Sequence, residues 1–139
     1  MLQLTAMQKL LIGFISAILA LQAIVVWQEW YITQGWVDIP LHIAGGAWLA
    51  LLFFYLFEER IPTVSPAAPW WSRAFLAVGF AVFIGSGWEV FEYVIAVLGH
   101  HFTWGDGNGK TYFDTLKDIV NVSIGGFVAA VWHVRRLSR

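Results

Sequence analysis

Cysteine is absent from the 139 residues, so neither a disulfide framework nor a thiolate metal site can exist, and cysteine usage leaves no mark of the compartment. Charge is scarce as well. Only 12% of residues are Asp, Glu, Lys or Arg, against 59% hydrophobic, a balance that excludes an ordinary water-soluble domain. The net charge of −1 points to no partner, and no basic cluster with interleaved aromatics is present, so nucleic-acid binding is set aside. What remains is an integral membrane protein with nine Trp, mostly lipid-facing surface and interfacial belt.

Hydrophobic runs divide the chain into four spans, at about 10–27, 39–57, 73–98 and 116–133, within one transmembrane domain covering 1–139. A cleaved signal peptide is the rival for the first run, which continues without a convincing small-x-small cleavage site. Residues 28–37, with Trp30, Tyr31 and Trp36, suit a short segment at the headgroup level. Pro40 is tolerated because it opens the second span, where its missing amide proton has no helical partner. Residues 61–71 carry three prolines and read as a loop, and the glycine-rich stretch 99–111, with His100 and His101 as loop residues, reads as flexible. Lys9, Arg60, Arg73, Arg135, Arg136 and Arg139 fall on one side of such a chain, and only Lys110 and Lys117 on the other. Four such spans predict an all-α integral membrane four-helix bundle, and the positive-inside rule puts both termini in the cytoplasm.

That topology makes the polar residues converge near the outer leaflet. Asp38, His42 and Gly45 share a helix face, as do Gly85, Glu89 and Glu92, and as do Asp114, Asp118, Asn121 and Gly125. A charged group at the centre of a span costs on the order of 2.5 to 3.5 kcal/mol, so such residues are expected to face protein or water. Gly45-Gly46 and Gly125-Gly126 sit deeper, where small residues let helices approach. A faint internal echo accompanies them: Asp38-Ile39 precedes Gly45-Gly46 by the interval at which Asp118-Ile119 precedes Gly125-Gly126.

The series Asp38-x-x-x-His42-x-x-Gly-Gly, Trp88-Glu89-x-x-Glu92 and Asp114-Thr115-x-x-Asp118-x-x-Asn121-x-x-x-Gly-Gly resembles the YjdF-like and VanZ-like families of small bacterial inner-membrane proteins. The resemblance covers residues 38–130 and implies a fold and a location. VanZ-like proteins are associated with resistance to teicoplanin-type glycopeptide antibiotics. Here the Arg they often carry before the last motif gives way to the glycine-rich loop.

Three functional readings stay open. In the first, Asp38, His42, Glu89, Glu92, Asp114 and Asp118 hold a divalent metal ion, Mg or Mn by the hardness of the ligands, with His42 or Glu89 as base. Lys117 and Asn121 would then bind substrate, and the chemistry would be hydrolysis or transfer on a lipid-linked phosphate at the membrane surface. In the second, the acids bind a cation or proton in a transport or binding module, assembled as a homo-oligomer to enclose a pathway. In the third, they form a purely structural polar network. Each residue also has a plainer role: Asp38 and Asp114 as helix N-caps, His42 as a hydrogen-bonding group within the bundle, Glu89 and Glu92 as interfacial acids.

Overall fold

The computed structural model describes residues 3–98 and 112–137, all of whose regular structure is helical. The glycine-rich stretch, with His100 and His101, lies outside them. The first helix, α1 (Ala6–Trp27), begins a turn earlier than its apolar run because Thr5 and Gln8 form a capping box, each side chain bonding the other residue's backbone N–H. It ends where Glu29 takes a left-handed φ of 53°. The headgroup segment then coils into one turn, α2 (Trp30–Thr33), tied back by the Tyr31 hydroxyl, which donates to Gln22 Oε1 at 2.6 Å.

Helix α3 (Asp38–Phe54) continues into a π-helical segment, Tyr55–Arg60. This wider winding leaves Glu59 and Arg60 exposed while Glu58 is directed into the bundle. Helices α4 (Trp70–Leu98) and α5 (Tyr112–Leu137) both extend beyond their apolar runs, by three and four residues at the start. Among the described residues four helical stretches, Ala6–Trp27, Asp38–Arg60, Trp70–Ile95 and Phe113–Arg136, are long and apolar enough to cross a membrane.

The capping expectation fails at both acids. Val37 is the N-cap of α3, and Asp38 and Asp114 lie inside the first turns of α3 and α5. There they complement the positive helix end.

The closest pairing is α3 against α5, and glycine is its cause. A Cβ on Gly46 would collide with the backbone carbonyl of Val122, and one on Gly125 with the backbone carbonyl of Ile43. Each glycine therefore meets the carbonyl three residues before the other, a reciprocal crossing in which Cα–H groups face carbonyl oxygens. The helices run parallel, with His42 near Asp118 at one end and Phe54 against His133 at the other. The reciprocal contact pairs Gly46 with Gly125, one residue out of step with the sequence echo, which pairs Gly45 with Gly125. Gly45 itself faces open space. Helix α4 packs antiparallel on both, its Ala81 receiving Gly126 and its Gly85 receiving the Val122 side chain. Helix α1 lies outside this trio against α3, where Trp48 Nε1 donates to the Leu11 carbonyl at 2.9 Å and Gln8 Nε2 to the Tyr55 hydroxyl at 2.7 Å.

Candidate functional site

Asp38 in the first turn of α3, Asp118 in the second turn of α5, and Glu89 and Glu92 on α4 meet around the His42 ring. Its Nε2 lies 3.1 Å from Asp38 Oδ1, one turn back on α3, and 3.9 Å from Asp118 Oδ1 on α5. Its Nδ1 lies 3.9 Å from Glu89 Oε1 on α4. One imidazole thus stands between two acidic groups: ligand atoms of Asp38, His42 and Asp118 lie within 4.8 Å of one another, and so do those of His42, Glu89 and Glu92. Asp118 is fully buried, Glu89 is 4% exposed and His42 9% exposed. Glu89 is therefore no interfacial acid, whereas Glu92 is half-buried.

Lys117 closes one side. Its Nζ is 2.5 Å from Asp114 Oδ1, 3.6 Å from Asp118 Oδ1 and 3.7 Å from Asp38 Oδ2. Asp114 is thereby held by Lys117 and belongs to neither group around His42, although the sequence placed it among the metal ligands. Asn121, one turn beyond Asp118 on the same face, is 8% exposed, and its Nδ2 has no hydrogen-bond partner among the described residues. A buried amide donor left in that state costs about 1–3 kcal/mol, and none of the described residues supplies its acceptor.

A second buried polar cluster occupies the opposite end of the bundle, and the sequence reading missed it. Arg73 of α4 grips Glu58 through two parallel bonds, Nε to Oε1 at 2.7 Å and Nη2 to Oε2 at 2.8 Å. His133 of α5 brings Nε2 to 3.9 Å from Glu58 Oε2 and stacks on Phe54 with ring centroids 4.2 Å apart. Arg73 also lies over the other side chain of that site, with its guanidinium carbon 5.7 Å from the Phe54 centroid. With spans at 39–57 and 73–98, the hydropathy reading leaves Glu58 just past one span and Arg73 at the start of the next, with nothing to join them. The available signal was their opposite charge at adjoining ends of consecutive antiparallel helices.

Comparison with family models matches the whole chain, residues 1–139, to the family described as predicted membrane protein (DUF2238). The chain belongs to that family. The match includes α1, which the motif resemblance had omitted, and it supports a small membrane protein family without extending to the YjdF-like or VanZ-like names. No curated protein and no solved structure matches the chain.

Proposed function

We propose that the cluster around His42 is a divalent-cation site and that the protein is a membrane-embedded enzyme hydrolysing or transferring a lipid-linked phosphate. The observation that carries this reading is the gathering of Asp38, Glu89, Glu92 and Asp118 from three helices about one imidazole, with the Lys117 ammonium beside them. Carboxylates confined together in a medium of low dielectric repel one another and lose hydration, and a bound cation offsets both. Oxygen ligands with one imidazole favour Mg or Mn over softer metals.

In this reading Asp38 and Asp118 would hold the ion, and Lys117 and the Asn121 amide would be left to hold phosphate oxygens. His42 or Glu89 takes a proton from water as its oxygen bonds to phosphorus, and the lipid alcohol leaves with a proton returned to it. The site faces the outer side of a bacterial inner membrane, with both termini in the cytoplasm. A transport role fits less well. Backbone contact at Gly46 and Gly125 closes the bundle beneath the cluster, so a pathway would need several copies of the chain.

The direct test is manganese binding to purified protein in neutral detergent, read by the electron paramagnetic resonance of free Mn2+ and by thermal unfolding. Near-stoichiometric binding that raises the unfolding temperature, is reversed by chelator and is lost in Glu89→Gln and Asp118→Asn is the expected result. A folded wild-type protein that neither depletes free Mn2+ nor responds to chelation rejects the cation site.

A further inference from the structure

Helices α1 and α4 both flank α3 without packing extensively on each other, and between them lies a cavity of about 350 Å³. Its walls are helix stripes: Ile15, Ile18, Leu19 and Gln22 along α1, Leu41, Gly45 and Leu49 along α3. At about 1.5 Å per residue, the α3 stripe from 41 to 49 makes a straight groove roughly 12 Å long. Gly45 keeps it open, since no atom lies within 4 Å of where its Cβ would stand.

Three features identify what fills it. The lining belongs to candidate spans and is apolar apart from Gln22 and His42, so water would find few partners while hydrocarbon would lose nothing on entry. Its wall residues Leu19, Ile84 and Trp88 are 60%, 40% and 48% exposed, so the groove opens sideways to the bilayer. Finally, His42 is both a wall of the groove and the centre of the acidic cluster, so a chain lying in the groove carries its own headgroup to that cluster.

We propose that the groove binds one unbranched acyl chain of a phosphate-bearing lipid and delivers the phosphate to the His42 cluster. The proposal rests on the cation reading for the headgroup and on the groove alone for the chain. Its straight run along a single helix stripe favours a linear chain over a branched one.

The probe is dodecyl phosphate, titrated by calorimetry into protein held in a neutral amphipol with Mn2+ present, so that no free detergent chain competes. Inorganic phosphate and farnesyl phosphate are the comparison ligands. Dodecyl phosphate is expected to bind at least tenfold more tightly than either. Gly45→Leu, which fills the groove from α3, and Leu19→Trp, which obstructs it from α1, should each weaken it at least tenfold without altering Mn2+ binding. Should Gly45→Leu fail to fold, Leu19→Trp carries the test from the exposed rim. Wild-type affinity in a folded variant overturns the groove, and equal affinity for farnesyl phosphate overturns the acyl assignment. Loss of probe binding in the variants of a protein that binds no Mn2+ would leave the groove standing and remove the cation reading. Normal Mn2+ binding with unblocked probe would do the reverse.

Discussion

Two buried residues with opposite surroundings, Asp118 and Arg73, show how differently charge can be carried inside a span. Arg73 has its counterion in a fork of two short bonds to Glu58, so the pair is neutral as built. Removing one partner of such a pair costs about 3–5 kcal/mol, because the other is left buried and uncompensated. Arg73→Ala should therefore lower the unfolding temperature sharply in detergent, whereas the double variant Arg73→Met, Glu58→Leu should recover much of the loss. A double-mutant cycle of thermal unfolding would check this, and simple additivity of the two single changes would refute the coupling. Asp118 is fully buried among Asp38, His42 and Lys117, in a cluster whose acids outnumber its ammonium. Asp118→Asn keeps the shape and removes a charge. In the absence of metal it should leave stability unchanged or raised by about 1 kcal/mol, while manganese binding falls at least tenfold. A large loss of metal-free stability would instead mark Asp118 as part of a structural network.

Among the helices, glycine sorts into positions that pack and positions that do not. Gly46 and Gly125 stand where the opposing backbone occupies the place of a Cβ, so even alanine must push α3 and α5 apart. Gly46→Ala and Gly125→Ala should each destabilise by about 1–3 kcal/mol, as overpacking does in other well-packed interiors. Because that crossing lies just beneath the acids, both changes should also weaken manganese binding. Gly13 and Gly79 meet nothing within 4 Å, and replacing either by alanine should stabilise its helix by about 0.5–1 kcal/mol. Thermal unfolding of the four variants is the measurement. Equal effects at all four positions would mean that the α3–α5 crossing is looser than its geometry indicates.

For the molecule as a whole, the two buried clusters change how charge should be counted for orientation. Arg73 is consumed by Glu58, and Lys117 by Asp114 and its neighbours, so neither reports freely on the side it occupies. Without them, Lys9, Arg60, Arg135, Arg136 and Arg139 still oppose Lys110 alone, so the bias survives. Since the chain has no cysteine, single cysteines added at either terminus give a clean readout. Both should resist an impermeant maleimide in intact cells and react after permeabilisation. Labelling of either terminus in intact cells would invert the orientation and move the His42 cluster to the other face.

The membrane class, the existence of four spans and the stripes bearing Asp38, His42, Glu89, Glu92, Asp118 and Asn121 were legible in the residues themselves, because helical period and the cost of charge in hydrocarbon are local properties. Boundaries were less so: the Thr5–Gln8 box and the π-helical segment Tyr55–Arg60 moved helix ends by three or four residues through hydrogen bonds that hydropathy does not register. Tertiary packing alone decided which glycine of each pair makes the crossing, that Lys117 takes Asp114 out of the cluster, and that Glu58, Arg73 and His133 meet at the far end. Those outcomes depend on how three helices rotate and slide against one another, a choice made by contacts between residues far apart in the chain. Periodicity places a side chain on a face, and only the packed bundle determines what that face meets.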